Sequence, residues 1–284
     1  MQFAVVGHVE WVDFLRVSHV PRAGEIVQAE EAWAEAAGGG AVAAVQLAKL
    51  AGGAIFFTAL GNDDLGERSA AQLAGQGIEL QAGRRDRPQR RAVAFLDSQG
   101  ERTITTLGPR LVASGKDDLR WDRMPEIAGV YLTGCDSAAL HAARRARILV
   151  ATPRARGALA DSGVTLDVLV RSGQDPGERA GAEQLGIEAR MVVTTHGAQG
   201  GTYVAEDGAS GTFKAAPLPG PIADAYGAGD SFAAALTFAL GAGMDIEAAL
   251  EVAARCGAGV LTASGPYRGQ PTAADLGLGV PSGS

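Results

Sequence analysis

Six short apolar runs rich in β-branched or aromatic residues recur along the chain: "QFAVVG", "AIFFTAL", "GVYLTG", "RILVAT", "LDVLV" and "ARMVVTT". Runs of this length without strict alternation predict strands buried on both faces. Most are separated by alanine-rich segments of helical character, such as "AVAAVQLAKLA" (41–51) and "SAALHAARRA" (137–146). Strand and helix alternate, so the expected fold is α/β, with a central, mostly parallel sheet covered by helices on both faces. Two segments break the rhythm. "RAVAFLDSQGERTITTL" (91–107) reads as two strands around a Ser-Gln-Gly-Glu turn. "FLRVSHVPRAGEIVQAEEAW" (14–33) reads as strands joined by a Pro/Gly turn. Together they predict a small second sheet projecting from the main one.

Near the C-terminal end the period changes. Phe232, Leu236 and Leu240 fall at i, i+4 and i+8, with Ala235 and Ala239 beside them, which predicts a helix of about three turns. It should stop at "GAG" (241–243), and a second helix should start with Asp245 as its N-cap. No internal repeat or low-complexity linker divides the chain, so residues 1–284 are expected to form one domain, with the small sheet drawn from about 14–33 and 91–107 and a frayed tail "GVPSGS".

Composition narrows the function. A chain of 284 residues can bury a core without staples, and its two cysteines, Cys135 and Cys256, show neither disulfide-framework nor zinc spacing. A reducing, cytoplasmic setting is the expectation. The net charge of -7 argues against nucleic acid or an anionic membrane as a general partner. The apolar opening "MQFAVVG" is interrupted by Glu10 and Asp13 before a signal or membrane segment could form.

The stretch "DAYGAGDSFAAALTFALGAG" (224–243) carries the candidate chemistry. Gly227, Ala228 and Gly229 let bare backbone N–H groups converge ahead of a helix whose dipole adds partial positive charge, which suits an anion. Asp230, in the first turn, could then accept the proton of a hydroxyl attacking a γ-phosphoryl group. The same residues also suit plain helix capping in a tight connection, and spacing alone does not choose. A dinucleotide fingerprint fits worse, because Phe232 stands where its third glycine belongs. No Gly-Lys-Ser/Thr run exists for a P-loop.

This stretch resembles the C-terminal signature of the ribokinase-like, or PfkB, carbohydrate kinases, D-T-x-G-A-G-D-x-F. "AAGGGAVAAVQLAKLAGGAIFFTALGNDDLGE" (36–67) is similar to the N-terminal signature, and "VVTTHGAQGG" (192–201) to the V-T-x-G-x-x-G segment near the nucleotide. The resemblance implies the ribokinase-like αβα fold with a β lid and an ATP-dependent kinase acting on a sugar, sugar derivative or nucleoside. It further implies Mg2+, with a monovalent cation such as K+ as an additional candidate. Asp230 becomes the base, and the amides of Gly227, Ala228 and Gly229 the anion hole. Asp13, Gly38 and Gly39 become substrate contacts, and Thr195, Gly197 and Gly200 nucleotide contacts. Asp13 could otherwise be a strand-end cap, and the glycine pair a hinge.

Departures from the pattern are equally specific. The family's substrate-binding asparagine falls on Val42, and the threonine of D-T-x-G-A-G-D on Ala225. The N-x-x-E motif that orders magnesium falls on Ser172 and Asp175, or with a two-residue shift on Asp175 and Glu178. Val42 and Ala225 motivate a second reading, a family member that binds sugar or nucleoside without turnover. Val42 also suggests that the preferred acceptor is not plain ribose but one with an apolar or bulkier group nearby, such as a nucleoside or a modified sugar. "RRDRPQRR" (84–91) is either a solvated loop or a contact for a substrate phosphate. Apolar positions Phe95, Leu96 and Ile104 on the projecting strands predict a homodimer built through the lids.

Overall fold

Alternate side chains of the first strand, β1 (Gln2–Val6), enter two different cores: Phe3 and Val5 one, Ala4 and Val6 the other, all essentially inaccessible to solvent. A strand buried on both faces belongs inside a sheet covered twice, as the apolar runs predict. The computed structural model of the chain describes residues 1–279, so nearly all of the tail expected to fray lies outside the described residues. The four strands of the small sheet are β2 (Glu10–Arg16), β3 (Glu31–Ala37), β6 (Arg91–Leu96) and β7 (Arg102–Leu107). The other main-sheet strands are β4 (Ala54–Gly61), β5 (Ile78–Arg85), β8 (Ile127–Leu132), β9 (Leu149–Ala151), β10 (Val168–Ser172), β11 (Met191–Thr195), β12 (Gly201–Ala205) and β13 (Ser210–Phe213). The main sheet runs β13-β12-β11-β10-β9-β8-β1-β4-β5, parallel except for β12, which is antiparallel to both its neighbours. Strand order reverses between β1 and β8. Open α/β sheets bind ligands in the crevice at the carboxyl ends of the strands at such a point.

Four helices share the first core: α1 (Gly39–Ala51), α2 (Asp64–Ala74), α5 (Ala228–Gly241) and α6 (Ile246–Val260). The second core holds α3 (Ser137–Ala143) and α4 (Arg156–Leu159). The result is the three-layer αβα arrangement. The helix predicted after Gly229 is α5, and Asp245 caps α6, its Oδ1 accepting the Ala248 N–H at 2.8 Å. α5 is apolar almost all round because it lies between the sheet and α6. It lies directly on β8, since a Cβ added at Gly129 would stand 2.9 Å from the Thr237 carbonyl oxygen.

The small sheet runs β3-β2-β6-β7, with β2 and β6 parallel and the outer pairs antiparallel. The β6–β7 hairpin is the predicted one. Asp97 Oδ1 accepts the Gln99 and Glu101 N–H groups at 2.9 and 3.0 Å, and Gly100 takes the positive φ the turn needs. The predicted 14–33 hairpin is displaced outward: β2 begins at Glu10, β3 ends at Ala37, and residues 17–30 between them form no strand. Phe14 stacks on Trp33 within this sheet, ring centroids 5.1 Å apart, and anchors it to the body through Tyr226, 5.0 Å away.

Candidate active site

The turn into α5 is built around a buried carboxylate. Asp224 accepts the Tyr226 N–H at 2.7 Å and the Gly265 N–H at 3.0 Å, fixing the chain before Gly227. Gly227 then adopts φ +83° as the helix N-cap, and a Cβ there would stand 2.8 Å from Val42 Cγ1. Both facts demand glycine. The first N–H groups of α5 have no partner within the helix. At Gly229 nothing lies within 4 Å of where a Cβ would be, so this turn opens on free space.

Asp230 is half-buried, and its Oδ1 accepts the Tyr131 hydroxyl at 3.2 Å. Burial first, then the negative charge of Glu178, push its carboxyl up to about 6, against the opposing pull of Arg102, the Tyr131 bond and Arg154. Tyr131 is fully buried, its phenol pushed well above the ordinary value by burial and by Asp230, so it stays a neutral donor. The start of α1 faces the same carboxylate: a Cβ added at Gly39 would stand 2.7 Å from Asp230 Oδ1. Gly38, at φ +88°, donates its N–H to the Tyr226 hydroxyl at 3.0 Å. Gly38, Gly39, Gly227, Ala228, Gly229 and Asp230 are therefore brought together around one crevice.

Asp13 is not among them. Strand side chains alternate, and Val12, Phe14 and Arg16 turn toward the body, Arg16 reaching Ser264 Oγ at 2.8 Å. Asp13 lies on the opposite face with Trp11 and pairs with Arg91 at 2.9 Å. The carboxylate that β2 sends inward is Glu10, buried, 2.7 Å from Arg90 Nε and 3.7 Å from His8 Nε2. Burial raises the Glu10 carboxyl in spite of Arg90. Burial and the charges of Arg110, Arg90 and Arg154 lower His8 well below its usual value, leaving a neutral imidazole. The alternation in "EWVDF" held this signal, because Glu10 shares its face with Val12 and Phe14.

Val42 is fully buried against Gly227 and stands behind the α5 turn, not in the open crevice. It therefore supports the turn and presents nothing to a ligand. Tyr131 was also missed, although a tyrosine inside an apolar strand signals that its hydroxyl has a buried partner.

Ser172 ends β10, and Asp175 and Glu178 follow it. The Ser172 hydroxyl accepts the Gln174 and Asp175 N–H groups at 3.2 and 3.0 Å, so it shapes the loop. Asp175 and Glu178 both pair with Arg154, Glu178 at 2.8 Å from its Nε. Among the described residues no cluster of three metal-ligating side chains is present. Two neighbouring carboxylates, one of them acting on Asp230, nonetheless suit magnesium, which is usually held by one or two carboxylates with substrate phosphates.

Thr195, Gly197 and Gly200 lie at the β11–β12 turn, with Gly197 and Gly200 at φ +58° and +79°. A Cβ on Gly200 would collide with the Phe213 carbonyl. Beside this turn a cavity of about 1180 Å³ opens between Tyr203 and Phe213 on one side and Leu250 and Ala254 of α6 on the other.

A sequence profile of the pfkB family carbohydrate kinases matches residues 2–157 and 169–273. The chain belongs to the PfkB family of carbohydrate kinases. An ATP-dependent ribose-1-phosphate kinase from Halopiger xanaduensis is 30% identical over 271 residues, 89% of each chain. The ribokinase of Thermotoga maritima superposes with a TM-score of 0.77 at 23% identity over 98% of each chain. That of Arabidopsis thaliana, solved with ribose and ATP, gives 0.76 at 22% over 97% of each. This PfkB-family kinase thus has the ribokinase-like fold, with the small sheet in the place of the lid. No helix among its described residues is long and apolar enough to cross a membrane.

Proposed function

We propose that this PfkB-family kinase transfers the γ-phosphoryl group of ATP to a hydroxymethyl oxygen of a sugar, sugar derivative or nucleoside, with Asp230 as general base. The observation that carries this reading is the half-buried Asp230 carboxyl, raised to about 6, beside the Gly227–Gly229 turn. A base with that proton affinity is ionised near neutrality yet still accepts a proton as the acceptor oxygen bonds to phosphorus. Tyr131 holds one carboxylate oxygen, leaving the other for the hydroxyl. The free N–H groups of the turn face the negative charge on the transferring phosphoryl group.

Burial between β12–β13 and α6 suits the base of ATP, with the β11–β12 turn beside it. Asp175 and Glu178 would hold magnesium, which supplies positive charge to the phosphates, once Arg154 yields them. The Halopiger relative acts, by its name, on a phosphorylated pentose, which adds pentose derivatives to the neutral sugars and nucleosides as candidate acceptors. The binding-only reading is not favoured. Val42 lies behind the turn and the Ala225 carbonyl receives Arg102, so neither departure removes a group from the reacting centre.

Asp230→Asn should keep the fold and ATP binding while lowering turnover by about two to four orders of magnitude. Near-wild-type turnover by the folded variant would remove Asp230 from the mechanism.

A further inference from the structure

A second cavity, of about 490 Å³, lies at the carboxyl ends of β8 and β9, on the face of the main sheet that carries α3 and α4. Four arginines from three stretches of the chain line it, and none of its lining residues is acidic. Arg90 precedes β6, Arg110 follows β7, and Arg154 and Arg156 follow β9. Two of them are held from behind: Arg90 by Glu10, and Arg154 by Asp175 and Glu178. Arg110 is not. It is half-buried, its hydrogen bond goes to the Arg154 carbonyl at 3.2 Å, and among the described residues no carboxylate pairs with it. Burial and the neighbouring Arg90 and Arg154 charges depress its proton affinity, yet a guanidinium keeps its proton in proteins. Arg110, half-buried beside two guanidiniums whose carboxylates lie behind them, is costly to keep there unless an anion in the cavity completes the set.

The position of the cavity says which anion. Arg90 on the cavity wall pairs with Glu10, which packs on Gly38 next to the Gly39–Asp230 contact, and Arg110 and Arg154 lie within electrostatic reach of Asp230, so an anion held here is near that carboxylate. The nucleotide-sized cavity belongs to the other face of the sheet, with α6.

We propose that the arginine cavity binds a phosphate already carried by the acceptor, with Arg110 as the central guanidinium and Arg90, Arg154 and Arg156 around it. The proposal rests on the Asp230 reading and names the substrate class for it: a sugar phosphate, phosphorylated at a second position. The bond from the γ-phosphorus to ADP breaks, a bond from the acceptor's hydroxymethyl oxygen to that phosphorus forms, and the hydroxyl proton passes to Asp230. The products are ADP and a sugar bisphosphate, and the phosphate in the cavity is unchanged. Of the run 84–91, only Arg90 lines the cavity. Arg84, Arg85 and Arg91 are engaged by Glu67, Asp117 and Asp13.

The test compares ribose, ribose 1-phosphate and ribose 5-phosphate, whose hydroxymethyl oxygen is blocked. Wild type should favour ribose 1-phosphate over ribose by at least about 100-fold in kcat/KM, short of the roughly 10⁴-fold discrimination of fully buried polar groups because Arg154 and Arg156 are exposed. It should not turn over the 5-phosphate. Arg110→Gln, and less strongly the exposed Arg156→Gln, should reduce that preference, chiefly through KM for the phosphate ester. Inorganic phosphate should inhibit competitively against ribose 1-phosphate and not against ATP. Equal or better use of ribose by wild type, a preference untouched in both folded variants, or competition with ATP alone would overturn the proposal. Should no acceptor turn over, the Asp230 reading fails, and calorimetric titration of ribose 1-phosphate into wild type and Arg110→Gln still decides the cavity. Binding weakened by the variant upholds it, and absent or unchanged binding overturns it.

Discussion

At the scale of single residues, the Asp230 carboxyl is set by opposing effects whose signs can be tested. Because its folded value is about 6, the base is ionised above that pH and protonated below it, so kcat/KM should rise through about pH 6 and level off. Tyr131 donates to the carboxylate and favours its ionised form, so Tyr131→Phe should move the acid limb to higher pH. The negative charge of Glu178 disfavours ionisation, so Glu178→Gln should move the limb to lower pH even if turnover also falls. Rate profiles of the two variants that shift together, or not at all, would separate the observed limb from Asp230. The run around Asp230 stood out because it resembles a family signature, since its spacing alone suits plain helix capping equally well, and the structure brings Gly38 and Gly39 to it. Asp13 was assigned to the substrate from the resemblance, whereas in β2 it lies on the face away from the body and pairs with Arg91. Moving the start of β2 from Phe14 to Glu10 shows Glu10, Val12 and Phe14 sharing the inward face.

At the scale of elements, the turn into α5 depends on what packs behind it. Val42 fills that space, and an asparagine there would bury an amide with no evident partner. Val42→Asn should therefore lower stability by about 1–3 kcal/mol, read by chemical denaturation, without creating a sugar contact. A gain in kcat/KM for ribose with unchanged stability would show that position 42 reaches the ligand. The six strands announced by apolar runs are all present, because strands buried on both faces leave continuous apolar sequence. β13, four residues long with two of them exposed, leaves no such trace. Neither does α2, which is polar over most of its length and buries only Gly66, Ser69 and Leu73.

At the scale of the whole molecule, the small sheet is tied to the turn into α5. Arg16 reaches Ser264, Arg102 bonds the Ala225 carbonyl, and Phe14 packs on Tyr226. Motion of this sheet would therefore be felt just before Gly227. Its edge strand β7 is exposed throughout, with Ile104 and Leu107 39% and 45% accessible, an apolar edge that a second copy could cover. Light scattering at micromolar concentration should report a homodimer, and Ile104→Glu should shift it toward monomer. A wild-type monomer would leave the sheet acting alone.

The central claim, phosphoryl transfer to an acceptor hydroxyl with Asp230 as base, is met most directly by mass analysis of the products formed from ATP and a sugar-phosphate acceptor. Wild type should yield ADP and an acceptor one phosphoryl group heavier in equal amounts, and Asp230→Asn should yield almost none of either. ADP formed without a heavier acceptor, or the same product from Asp230→Asn at the wild-type rate, would contradict the account.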